Sequence, residues 1–275
     1  ITNLDLSSFD TSNVTTMRNM FANTELTVID LSNFNTSKVT DMNYMFSQAG
    51  WVAMTSLNLG GNFNTVSVTN MNNMFSNTGH DVLTTLNLGG NFNTSNVTNM
   101  SGMFNGSKAT KLDVSDFDTS SVTNMNSMFE ETGYTAMTSL NLGTNFDTSA
   151  VTSMSWMFSN CGHDKMTSLT LGANFNTSLV TTMQGMFNGT GNKLLTSLDL
   201  GDLFYTTNVE NMTNMFSNCG TGAMTSLDLG PAFTKIASTN TEFATNLGKS
   251  GFVAYVPEAI YQDSTHFRIG GAGST

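Results

Sequence analysis

One unit, F-[DN]-T-x-x-V-T-x-M-x-x-M-F, constrains this chain more than any other feature. It is first met at residues 9–21 and returns at 34–46, 63–75, 92–104, 117–129, 146–158 and 175–187. A degraded eighth copy at 204–216 has Tyr205 and Glu210 in place of Asx and Thr. A unit this short cannot enclose a core by itself, so it must bury its apolar faces against neighbouring copies. One elongated domain is expected, although 275 residues would allow two globular ones.

Each copy is preceded by a brief apolar alternation, as in Leu57-Asn58-Leu59 or Leu198-Asp199-Leu200. Period two denotes a strand with one buried face. Nine such segments begin at Leu4, Ile29, Leu57, Leu86, Leu112, Leu140, Leu169, Leu198 and Leu227, and their steps range from 25 to 29 residues. Spacing inside the unit is constant, while the segments before its first Phe and after its Met-Phe pair vary in length. Constant spacing marks a core and variable spacing marks surface loops.

The apolar residues of M-x-x-M-F fall at i, i+3 and i+4, the spacing of one helical face, so a short helix or 3₁₀ turn is expected there. The Asx at Asp10, Asn35, Asn64, Asn93, Asp118, Asp147 and Asn176 suits an Asx-turn, in which the side-chain oxygen accepts a nearby backbone N–H. Sixteen of the 20 Met occupy the two Met positions of the unit, which makes them core columns and excludes a copper site. Cys161 and Cys219 share one repeat position two copies apart, about 10 Å if rungs stack at strand spacing. That is too far for a disulfide, so both are expected as inward-facing free thiols.

Only 11% of the residues are charged, and the net charge is −11. Nucleic acid and anionic membrane surfaces, which require clustered cations, are not expected partners. No apolar stretch is long enough for a membrane-spanning helix. The chain opens inside a repeat at Ile1-Thr2-Asn3-Leu4, so further repeats or a leader are expected before it. Residues 1–233 are expected to form the solenoid and residues 234–275 a C-terminal cap and exit linker. The last strand is expected at residues 252–257, a turn at 258–261 and a flexible exit at 270–275.

Read from Leu26 onward, each rung has the form L-x-x-[LI]-x-L-x-x-F-[DN]-T-S-x-V-T-x-M-x-x-M-F, which resembles the leucine-rich repeats of BspA-like bacterial surface proteins. The resemblance covers residues 1–233 and extends to a V-P…Y ending at Val256, Pro257 and Tyr261. It implies an α/β repeat fold: a right-handed leucine-rich-repeat solenoid of about nine rungs, each a short strand plus a short helical or 3₁₀ turn. It also implies an extracellular adhesin on the bacterial cell surface, with signal peptide and anchor outside this segment. No catalytic residues carry over.

Two ligand-binding surfaces are expected. Between the inward Leu residues, one strand-face column runs Asp5, Asp30, Asn58, Asn87, Asp113, Asn141, Thr170, Asp199 and Asp228, flanked by Thr at every strand entrance. Five residues past the Met-Phe pair, the loops carry Trp51, His80, Tyr134 and His163, and recognition often sits on loops held by a rigid scaffold. The function expected is non-enzymatic adhesion to a host or matrix protein or glycan, without cofactor, metal or membrane insertion. The alternatives are a structural spacer or self-assembling surface-layer element and, more distantly, ice binding through the Thr columns.

Overall fold

The computed structural model describes residues 2–51, 53–79, 83–234, 236 and 243–255. Among these there are seven strands, each of three residues: β1 Ser56–Asn58, β2 Thr85–Asn87, β3 Ser139–Asn141, β4 Ser168–Thr170, β5 Ser197–Asp199, β6 Ser226–Asp228 and β7 Val253–Tyr255. All pairings are parallel and in register, joining β1 to β2, β3 to β4, and β5 through β6 to β7. Single bridges Asp30–Asn58 and Thr85–Lys111 extend this side. A second parallel ladder runs through Thr16, Asp41, Asn70, Asn99, Asn124, Ser153, Thr182 and Asn211.

This is a parallel β-solenoid of about seven regular turns, which corrects the expectation of a nine-rung α/β leucine-rich-repeat solenoid. No helix of any kind occurs among the described residues. The segments at 4–6, 29–31 and 112–114 form no strand, and six of the nine expected strands are present with β7 added. β7 lies within the last strand expected from the sequence; Val256, Pro257 and Tyr261, with the expected turn and exit linker, lie outside the described residues.

The M-x-x-M-F segment fails to become a helix because one residue inside it and one just after it are left-handed. The residue two before the final Phe has φ between 53° and 63° in all eight copies, from Asn19 to Asn214. The residue two after that Phe, from Asn23 to Asn218, is left-handed too, with φ between 53° and 67°. A left-handed residue every fourth position prevents the continuous i→i−4 bonding of an α-helix. Hydrogen bonds alternate instead: Asn73, Phe75 and Asn77 donate to Ser101, Met103 and Asn105 of the next coil, whereas Met74 and Ser76 donate three residues back to Met71 and Asn73. The apolar spacing i, i+3, i+4 therefore arises from successive turns, with Met, Met and Phe all directed inward.

The core expectation holds. Both Met and the terminal Phe of every copy from 34–46 to 204–216 are fully buried. Eight Phe rings, from Phe21 to Phe216, form one continuous stack with centroids 5.3–5.8 Å apart and planes within 11°. Each such residue contributes about 1.5–3 kcal/mol by leaving water.

A polar ladder runs beside them. The Thr of each unit is buried, and from Thr11 through Thr177 its hydroxyl donates to a carbonyl of the next coil, as Thr148 does to Asn176 at 2.8 Å. Cys161 and Cys219 are buried free thiols, and burial pushes both up to about 12, far from a reactive thiolate.

Candidate functional site

The strand-face column points outward as expected. In β1 to β5 the central Leu is buried and both flanking residues are exposed, and Asp5, Asp30 and Asp113 are exposed at the equivalent positions. Yet these side chains already have a task. Asp5, Asp30, Asn58, Asn87, Asp113, Asn141, Asp199 and Asp228 each accept the backbone N–H two residues on, at 2.8–3.0 Å. They cap the turn that leaves the strand, and only Oδ2 of each Asp, or Nδ2 of each Asn, stays free of that bond. The same geometry recurs at all seven Asx residues of the repeated unit. Thr170 is the one member of the strand column that does not make it.

The Thr at the strand entrance is likewise committed. Hydroxyls of Thr27, Thr84, Thr110, Thr167 and Thr225 donate to the Thr carbonyl one coil earlier, at 3.1–3.3 Å. A second exposed Thr column, absent from the expected sites, does the same from Thr40 to Thr181 on the Val-Thr side.

At the loop edge the structure unites Tyr134 and His163, whose rings stack 4.5 Å apart with planes 6° from parallel. Lys108 Nζ stands 5.6 Å from the Tyr134 ring centre. His163 Nδ1 and Lys193 Nζ both meet Asp164 Oδ1, at 2.8 and 2.7 Å, and Lys193 first and His163 second hold the Asp164 carboxyl below its ordinary value. The column thus runs Lys108, Tyr134, His163 with Asp164, then Lys193, each group packed on the coil before it. It is a staple between coils. Trp51 is half-buried at the equivalent position of an earlier coil, and His80 lies outside the described residues.

The open space lies elsewhere on the strand face. A groove of about 750 Å³ runs across the ends of β4, β5 and β6; Ser168, Thr170, Ser197, Asp199, Asp202 and Asp228 supply its polar lining. Leu169, Leu171, Phe175, Leu200, Leu203 and Pro231 supply apolar contacts. A smaller groove of about 560 Å³ is lined by Asn58, Asn87, Asp113 and Asp116 with Leu88, Phe92 and paired glycines. Asp202, Asp116 and Pro231 were missed by the alternation rule, because they lie in the turn after the strand. Exposed Val253 and Tyr255 were missed too; they continue the Ser226 and Asp228 columns in register.

Among the described residues no three His, Cys, Asp or Glu side chains are placed to hold a metal ion, and no helix is long and apolar enough to cross a membrane. No curated protein and no solved structure matches the chain. The family match is to a repeat family under another description than the BspA-like leucine-rich-repeat one. Residues 1–81, 81–163 and 133–226 each match the family described as "Mycoplasma protein of unknown function, DUF285", and the chain belongs to that family.

Proposed function

We propose that this chain is a non-enzymatic binding module of a bacterial cell surface, whose strand face engages a host or matrix protein or a glycan. The observation that carries the proposal is the groove across β4, β5 and β6, a concave surface with hydroxyls and carboxylates above an apolar floor. It lies on a scaffold held by two parallel ladders and a continuous ring stack, so its lining is positioned before any partner arrives. The resemblance to BspA-like surface proteins favours an extracellular setting and adhesion. The acidic balance, −11 overall, disfavours nucleic acid and anionic membrane surfaces as partners.

Screening the purified chain against arrays of matrix proteins and glycans is the direct test. Saturable binding that the double variant Thr170→Trp/Ser197→Trp blocks by filling the groove is the expected outcome. Binding that persists with the groove filled would move the site to the loop edge, and no binding on any array would remove the proposal.

A second reading, a spacer or self-assembling wall element, is favoured by the unbroken Phe21–Phe216 stack, which makes a stiff rod. Sedimentation at rising concentration separates them: assembly into larger species supports self-association, and a constant monomer opposes it.

A further inference from the structure

β7 changes the chemistry of the strand face. Along β5 and β6, Asp199 and Asp228 stand directly opposite each other in register, one strand spacing apart. Like charges so placed repel, and among the described residues no Lys, Arg or His lines the groove that contains them and Asp202. One coil further, Tyr255 pairs with Asp228 and Val253 with Ser226, and both project from the same face, 60% and 51% exposed. Among the described residues the column therefore ends as carboxylate, carboxylate, phenol ring. Asp199 and Asp228 each use Oδ1 to cap Gly201 and Gly230, which leaves Oδ2 of each for a ligand.

We propose that this end of the strand face takes a basic segment of a protein partner, an arginine or lysine side chain lying along the column Asp199–Asp228–Tyr255. Aligned carboxylates supply the charge, an exposed ring supplies a face for the cation, and the serine, threonine and apolar lining accommodates the chain that carries it. The smaller groove does not repeat this arrangement: its carboxylates are Asp113 and Asp116, its other column members Asn58 and Asn87 are neutral, and no aromatic residue extends that column. The inference rests on the strand-face binding proposed above and names its partner's chemistry.

Fluorescence anisotropy with labelled hexa-arginine, hexa-lysine and hexa-glutamate peptides at 0.15 M salt tests it. The informative variant is Asp199→Asn with Asp228→Asn, because Asn occupies the same column and makes the same cap at Asn58, Asn87 and Asn141, so folding is retained. Saturable binding of the basic peptides is expected. It should weaken about tenfold or more in the double variant and about threefold in Tyr255→Ser, with no change in the distant Asp10→Asn, which lies outside the strand-face column and whose cap Asn35 makes in the next copy.

Equal weakening by Asp10→Asn, or none by the double variant, would overturn the proposal in favour of diffuse attraction to an acidic protein. Absence of saturable binding would overturn it as well. Displacement of the peptide by uncharged maltohexaose or cellohexaose, dependent on Tyr255, would make the site a glycan groove. A ligand found on the arrays that still binds the double variant would leave the adhesion proposal standing and remove only this one.

Discussion

The Met-Phe corner and the strand side of each coil both place one residue per turn in a column, but they use those columns in opposite ways. At the corner both Met and the terminal Phe point inward, every second N–H reaches the next coil, and two residues per copy are held left-handed. On the strand side only three residues pair, the central Leu is buried, its neighbours face solvent, and the one after it caps the following turn. The corner carries stability and tolerates little. The strand side carries its structural task on a single side-chain oxygen and leaves the rest of the side chain for a partner.

Substitutions should separate the two sides by size of effect. Phe129→Ala removes a fully buried ring stacked on both Phe104 and Phe158, and a loss of about 3–5 kcal/mol is expected in urea unfolding. A loss below about 1 kcal/mol would mean that the corner is not the core.

Gly172→Ala examines the turn after the strand. Its φ is +87°, and a Cβ there would overlap the carbonyl oxygen of Gly143, so a cost of about 1–3 kcal/mol is expected. Ordinary stability in that variant would show that strand-side turns are as forgiving in backbone as in side chain.

Asp199→Asn should shift stability by less than about 0.5 kcal/mol, because Asn can accept the same Gly201 N–H. Asp199→Ala should cost about 0.5–1.5 kcal/mol by losing that bond. Equal losses in the two variants would mean that charge, and not the cap, is what the position supplies to folding.

The pH dependence is the smallest effect. Asp5, Asp10 and Asp113 are held below 3.8 by the hydroxyl and then the N–H of Ser7, Ser12 and Ser115; for Asp30 the N–H of Ser32 is the larger cause. A carboxyl whose folded value is depressed stabilises fully above its unfolded value and loses that contribution as pH falls through the folded one. Urea midpoints should therefore be flat from pH 5 to 7 on this account and fall below about pH 4. Glu130 acts in the opposite sense: burial raises it, so its contribution weakens as pH rises above 4.5. A midpoint that rises on acidification would mean that Glu130 outweighs the caps.

The columns of Phe, Val, Met and Leu were legible because a stacked repeat turns sequence period directly into spatial alignment. The corner's conformation was misread because M-x-x-M-F satisfies helical spacing and successive turns equally well. A discriminating signal was present: the residue two before the final Phe is Asn or Gly at 19, 73, 102, 185 and 214, and the residue two after it at 23, 77, 106, 160, 189 and 218. Asn and Gly accept left-handed backbone at low cost.

The capping task of Asp30 or Asn58 followed from the same Asx-turn logic applied to Asp10, had it been extended to the strand ends. The alignment of Tyr255 with Asp228 did not follow, because the motif dissolves after Leu229 and β7 arrives in register through pairing that no repeat marks. Nor did the stack of Tyr134 on His163 reveal its purpose in sequence, since the Asp164–Lys193 contact that fixes it reaches one coil further.

Whether the corner is a ladder between coils or a helical turn within one is decided by the hydrogen bond of a single amide. Scalar coupling across hydrogen bonds, measured by NMR, should connect the Phe75 N–H to the carbonyl of Met103, which lies 2.9 Å away on the next coil. Coupling to the carbonyl of Met71, four residues back in the same coil, is what a helical leucine-rich repeat requires and would contradict the β-solenoid.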